Sequence, residues 1–173
     1  MRKHSGMRPQ DIVVLLKIVA LKNKEWNNSL LAHSLQISPS EISEALNRCL
    51  IAGLIDSKKK DVNLLSLKEF LLYGLKYVFP SVPGAIVKGI PTAHSAKPLS
   101  DLIAMTDEVY VWPYYKGTHR GQAIEPLYKT VPQIAREDVY FYELLTIIDA
   151  LRVGRARENK FAREQLEIRL NHE

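Results

Sequence analysis

Short polar side chains and a run of cations occur close together between residues 40 and 60 of the chain. The polar side chains recur where a helix would present them on one face, and they are Ser40, Ser43, Glu44, Asn47 and Arg48. Three consecutive lysines follow, and they are Lys58, Lys59 and Lys60. Hydroxyl, amide and guanidinium groups exchange hydrogen bonds with nucleobase edges, whereas ammonium groups pair with phosphate oxygens. These residue types indicate contact with a nucleic acid, although a solvated helix face and a solvated turn would carry the same residues.

The residues before this face predict where its helix begins. Ser38 can cap the helix, Pro39 suits its first position, and Glu41 can return a hydrogen bond to the Ser38 N–H. We therefore count Ser38 among the candidate contacts. The opposite face is apolar at three- and four-residue spacing, and it comprises Ile42, Ala45, Leu46, Cys49 and Gly53. The spacing predicts a helix with one buried face and one polar face.

Two further helices are predicted upstream. The stretch from Pro9 to Lys22 is apolar at helical spacing, and Pro9 suits a first turn. Residues 26–29 supply capping side chains for a short second helix that ends near Gln36. Only Ile37 and Ser38 separate the second helix from the third. Such a short connection predicts the tight corner of a helix-turn-helix.

A basic hairpin and a closing helix are predicted after Gly53, which can terminate the third helix. Residues 54–56 and 62–65 predict two short strands joined by the turn that carries the three lysines. A fourth helix is predicted from about Leu67 to Val78, before the break at Phe79-Pro80. The predicted fold is therefore mainly α-helical with a small β-hairpin wing. Its lysines can reach phosphates beside a groove that the third helix occupies.

Three stretches of residues 7–79 carry a family resemblance, and they are residues 31–35, 37–43 and 45–55. With the order of helices and hairpin, they resemble the MarR-like winged helix-turn-helix transcriptional regulators. The resemblance implies that the third helix reads DNA, that the wing touches phosphate, and that two copies bind a pseudo-palindromic operator. It assigns base or phosphate contacts to Ser40, Ser43, Asn47 and Arg48, and wing contacts to the three lysines. Glu44 departs from the family pattern, because a carboxylate is repelled by phosphate unless it accepts a hydrogen bond from a cytosine amino group.

Residues 80–136 are rich in proline, glycine and aromatic residues, and we expect an ordered, loop-rich layer there. The best strand candidate is Glu108 to Trp112. Aromatic walls and a few charges suggest a ligand pocket, for which the candidate residues are Tyr110, Trp112, Tyr114, His119 and Arg120. The structural alternative is a half-buried strand followed by solvated cations.

Residues 137–171 turn helical again and are predicted to mediate dimerisation. One apolar face runs from Phe141 to Leu151 and another from Phe161 to Leu170, so either two helices meet at Gly154 or one helix is weakened there. Nearby arginines predict ion pairs with Asp149 and Glu158 rather than a second DNA contact. The segment from residue 89 to residue 158, through its stretches 89–92, 111–113 and 151–158, also resembles the tails of some prokaryotic winged-helix proteins linked to mobile-element or defence loci.

The composition excludes several classes of protein. The formal net charge is +5, and the single cysteine allows neither an intramolecular disulfide nor a cysteine zinc cage. No apolar run is long enough to span a bilayer and no signal peptide is evident, so we expect a cytoplasmic protein without a membrane partner. The sequence shows no nucleophile motif, no phosphate-cradling loop and no metal-ligand spacing. We therefore expect no enzyme, no metal and no cofactor.

Two function classes remain open from the sequence. The first is a homodimeric, sequence-specific transcriptional repressor that binds double-stranded DNA, with or without a small-molecule effector. The second is a protein interaction module, such as an antitoxin or a complex subunit, that uses the winged helix or the aromatic middle segment. The lysine wing favours DNA.

Overall fold

The structure is a computed structural model that describes residues 6–104 and 107–171. It is mainly helical, at 55%, with eight helices and one small three-stranded sheet among the described residues. The helices are α1 (Pro9–Leu21), α2 (Asn28–Leu35), α3 (Pro39–Ile51), α4 (Leu64–Tyr73), α5 (Leu75–Val78), α6 (Val131–Ile134), α7 (Val139–Val153) and α8 (Ala156–Leu170). The strands are β1 (Ile86–Pro91), β2 (Tyr110–Pro113) and β3 (His119–Ala123).

The first three helices begin where the capping residues predict. Asn27 accepts a hydrogen bond from the Leu30 N–H at the start of α2, and Ser38 accepts one from the Glu41 N–H at the start of α3. The return bond expected from Glu41 to Ser38 is wrong, because the Glu41 carboxylate accepts from the Gln10 amide at 2.7 Å instead. Gly53 follows the end of α3 with φ +74°, a left-handed conformation that glycine tolerates, but it is exposed and not inward-facing.

The predicted hairpin is reduced to a turn in the structure. Ile55 and Val62 form a single antiparallel bridge. The prediction of a second strand over residues 62–65 is wrong beyond Val62. The Asn63 side chain accepts a hydrogen bond from the Ser66 N–H, and α4 begins at Leu64. The predicted fourth helix is divided at Gly74 into α4 and α5. We call residues 56–61 the lysine turn.

The middle segment forms a small barrel in which each strand pairs with both others. Strand β1 runs antiparallel to β2 and β3, and these two run parallel to each other. Two glycines permit this closure, because a Cβ at Gly89 would lie 2.0 Å from the Trp112 carbonyl oxygen and one at Gly117 would lie 2.2 Å from the Gly89 carbonyl oxygen. The sequence predicted β2 but missed β1 and β3.

The C-terminal segment forms two helices that meet at Gly154. The residues named for their apolar faces are packed inside the chain: Leu144, Ile148, Leu166 and Leu170 are all less than 5% exposed. One continuous core includes buried residues of α1, the barrel and α8. The apolar faces predicted for dimerisation are therefore used within the chain. No helix in the described part of the chain combines the length and apolarity needed to cross a membrane.

The ion pairs predicted near Gly154 are confirmed in one case and wrong in another. Arg152 binds Asp149 at 2.8 Å, as expected. Arg155 instead binds Glu108, at the approach to β2, at 2.9 Å. The pairing partner lies far away in sequence, so helical spacing does not reveal it.

Candidate nucleic-acid interface

The polar face of α3 is exposed except at its C-terminal end. Ser40, Ser43 and Glu44 are exposed, Asn47 is half-buried, and the capping Ser38 is exposed before the first turn. The inward face contains Ile42, Ala45, Leu46 and Cys49, all less than 4% exposed. Burial raises the pKa of the Cys49 thiol to about 12, which makes it a poor nucleophile.

Arg48 does not belong to the exposed face, and the prediction that it points outward is wrong. The side chain of Arg48 is 7% exposed and that of Asp11 is fully buried. The guanidinium donates two hydrogen bonds to the Asp11 carboxylate, from Nε at 2.9 Å and from Nη2 at 2.7 Å. This hydrogen bonding raises the pKa of Arg48. The pair fixes α3 against the first turn of α1, so Arg48 orients the helix and is not available to a ligand.

Asp56 organises the lysine turn, although the sequence did not single it out. Its carboxylate accepts the backbone N–H of Asp61 at 2.9 Å, of Lys60 at 2.7 Å and of Lys58 at 3.1 Å. These hydrogen bonds lower the pKa of the Asp56 carboxyl. The contacts are therefore present at neutral pH and weaken as the pH falls through that lowered pKa. The side-chain acceptor of an Asx-type turn was the available sequence signal.

The lysine turn lies against α3 and against the connection before α2. The Lys59 ammonium donates to the Asn47 side-chain oxygen. The Lys60 ammonium donates to the Trp26 carbonyl at 2.9 Å and lies 4.5 Å from the centre of the Trp26 ring. Lys58 is exposed. The structure thus brings one of the three predicted lysines, Lys59, to the α3 residue Asn47, whereas Lys60 contacts Trp26 before α2.

The corner between α2 and α3 is supported by a distant part of the chain. Thr130 donates to the Leu35 carbonyl at 2.8 Å, across 95 residues of sequence, and the Gln133 amide donates to the Gln36 side chain. Both donors lie at or inside α6. This support could not be predicted from the sequence, because neither Thr130 nor Gln133 belongs to a periodic or capping pattern.

The five residues of the predicted ligand pocket do not converge on one cavity. Trp112 is fully buried, and its indole N–H donates to Asp149 at 2.6 Å. Tyr110 is buried against His94, whereas Tyr114 is half-buried and both His119 and Arg120 are exposed. In the described residues there is also no group of three or more side chains that could hold a metal ion.

Comparisons of the chain with protein-family models, with curated proteins and with solved structures gave no match. What supports a function is therefore the arrangement of α3, the lysine turn and the residues that hold them.

Proposed function

We propose that residues 7–79 form a winged helix-turn-helix that binds double-stranded DNA, with α3 in the major groove and the lysine turn on the phosphate backbone. The observation that carries the proposal is the contact between Lys59 and Asn47, which brings the cationic turn beside the polar face of α3. An α-helix fits the major groove, and adjacent cations bind the phosphates that border it. The biological role that we propose is a homodimeric repressor that occludes its operator.

Different residues supply affinity and specificity in this proposal. Lys58, Lys59 and Lys60 neutralise phosphates, which gives salt-dependent affinity. Asn47 and Ser43 reach base edges, and an amide can bind adenine with two hydrogen bonds. Binding requires Lys59 to leave Asn47, which frees the amide for a base at the same moment as the ammonium reaches a phosphate.

Changing Lys58, Lys59 and Lys60 together to alanine is expected to weaken DNA binding by about tenfold or more at physiological salt. The slope of log affinity against log salt should fall by about 2 to 3, since each lysine releases about one counterion from DNA. Fluorescence anisotropy across a salt series measures both quantities, with the DNA upstream of the chain's own gene and a scrambled duplex as ligands.

The matched control changes Lys88, Lys116 and Lys160 to alanine, which removes the same charge from the barrel and α8. This control should keep most of the wild-type affinity and its salt slope. Equal losses in the two triple variants would show that net charge alone attracts DNA and would remove the lysine turn from the interface.

Asp56→Ala is expected to weaken DNA binding even though it makes the protein more cationic. Removal of the carboxylate deprives three backbone N–H groups of their acceptor and loosens the turn that presents the lysines. Asp61→Ala is the control, because it makes the same change in charge and keeps the acceptor. Stronger binding by both variants would mean that simple electrostatics governs the turn.

A second candidate function is protein binding through the same face. It is favoured by the withdrawal of Arg48 into the core, which leaves Glu41 and Glu44 as the charged residues of the α3 face. A partner with a basic groove would suit that face better than phosphate does. Weak binding to both duplexes that the triple lysine change does not alter would favour this function and contradict the DNA proposal.

A further inference from the structure

Helices α4 and α5 share an exposed face whose tyrosines and leucine are largely solvent-accessible. Leu65, Tyr73 and Tyr77 are 64%, 68% and 72% exposed. Glu69, four residues before Tyr73 on α4, is also exposed, and so is Lys76 on α5, whose ammonium lies 4.9 Å from the centre of the Tyr77 ring. We call these five residues the α4–α5 face. Exposed aromatic residues grouped on one surface are typical of an interaction site.

The apolar face that the sequence predicted for dimerisation is not available for this role. Ala162, Leu166 and Leu170 of α8 are at most 4% exposed and pack within the chain. The α4–α5 face, in contrast, keeps its large side chains at the surface. Arg163 of α8 makes two contacts with α4. It donates to the Leu72 carbonyl at 2.8 Å, and its guanidinium lies 5.3 Å from the centre of the Tyr73 ring.

The charges on this face are arranged symmetrically. Glu69 lies four residues before Tyr73, and Lys76 lies three residues after it. Among the described residues, neither Glu69 nor Lys76 takes part in a salt bridge. A second α4–α5 segment that runs antiparallel to the first, with the two-fold axis beside Tyr73, would bring Glu69 of α4 close to the partner's Lys76 on α5. A face of this kind is complementary to itself, which is the requirement for an isologous interface.

We propose that a second copy of this chain packs on the α4–α5 face. The two α4 helices lie antiparallel, with the Tyr73 rings packed near the two-fold axis and with Glu69 of each copy paired with the partner's Lys76. The inference rests on the proposed function for the dimer that a pseudo-palindromic operator requires. The test of the dimer uses no DNA, so a failure of the dimer proposal can be distinguished from a failure of the DNA-binding proposal.

The test is sedimentation equilibrium of the full chain over a range of protein concentrations. The wild type should approach twice the molar mass of one chain as concentration rises. Glu69→Lys and Lys76→Glu should each raise the dimer dissociation constant about tenfold or more, because symmetry makes two like-charge contacts from one substitution. The double variant Glu69→Lys with Lys76→Glu should restore association close to that of the wild type.

Two further variants separate loss of the interface from loss of the fold. Tyr73→Ala should weaken association, whereas Tyr115→Ala, which removes an equally exposed tyrosine at 73%, should not. Circular dichroism melting should show that all variants remain folded. A wild type that stays monomeric at every concentration, or a double variant as weak as the single ones, would overturn the proposal.

Discussion

Asp11→Ala is expected to lower the free energy of unfolding by about 3–5 kcal/mol, the range found when one partner of a buried ion pair is removed. The Asp11 carboxylate is fully buried and accepts both the Nε and Nη2 donors of Arg48. It also accepts the Arg8 N–H at 2.8 Å, so the substitution leaves a buried guanidinium and a helix N-terminus without their acceptor. Urea denaturation followed by circular dichroism measures the loss.

The control for this prediction removes both charges at once. Asp11→Leu combined with Arg48→Met replaces the pair with apolar side chains, and this double variant should recover most of the stability that Asp11→Ala loses. If the single and double variants are equally unstable, packing at these positions matters more than the charge pair. A loss below about 1 kcal/mol for Asp11→Ala would show that the guanidinium reaches water.

Asp149→Ala is expected to destabilise the fold by a similar amount, about 3–5 kcal/mol. Burial raises the pKa of Asp149, and Arg152, Thr92 and Trp112 oppose that rise. One carboxylate oxygen accepts the Thr92 hydroxyl at 2.7 Å and the Trp112 indole N–H at 2.6 Å, and the other accepts Arg152 at 2.8 Å. Without the carboxylate, Thr92 and Trp112 lose this buried acceptor and Arg152 keeps only the Phe79 and Glu125 carbonyls. Between α7 and the barrel strands, the hydrogen bond that Tyr142 donates to the Pro91 carbonyl then remains.

Graded variants check that the effect of Asp149 comes from its hydrogen bonds. Thr92→Val removes one donor and should have a smaller effect, about 1–3 kcal/mol. Asp101→Ala breaks a surface pair with Lys97, whose side chains are 61% and 73% exposed, and should change stability by less than about 1 kcal/mol. An Asp149→Ala variant as stable as Asp101→Ala would contradict the proposed role of the buried carboxylate.

The elements predicted correctly are those that local patterns determine. Ser38 and Pro39 set the start of α3, and apolar spacing located α1 and α7, because caps and helical periodicity act over one or two turns. The single buried face expected for each of these two helices is wrong, because residues 11–19 of α1 and 144–151 of α7 are all buried. Only helix content with a small sheet is shown by the structure; the winged helix-turn-helix itself stays a proposal. The predicted exposure of the candidate face is confirmed in part, since Ser40, Ser43, Glu44 and the lysine turn lie on the surface.

The failures come from partners that are distant in sequence. Arg48 looked exposed because its partner Asp11 lies 37 residues earlier, in another helix. Strand β1 contains Gly89 and ends at Pro91, which lower strand propensity, but the barrel needs glycine where backbones approach closely. Trp112 resembled a pocket wall because its indole partner, Asp149, comes 37 residues later. Periodicity carries no information about such pairings.

The support that Thr130 and Gln133 give to the α2–α3 corner also affects the order in which the chain can become functional. Nearly one hundred residues separate Leu35 from Thr130, so this contact closes a long loop and contributes to slow, non-local folding steps. During synthesis the first four helices leave the ribosome well before α6 has been made. Domains generally fold in the same order, from the N-terminus to the C-terminus. The corner that orients α3 therefore receives its final support late, after the second half of the chain has been made. In a nascent chain, α3 can therefore form some time before its polar face reaches its final orientation.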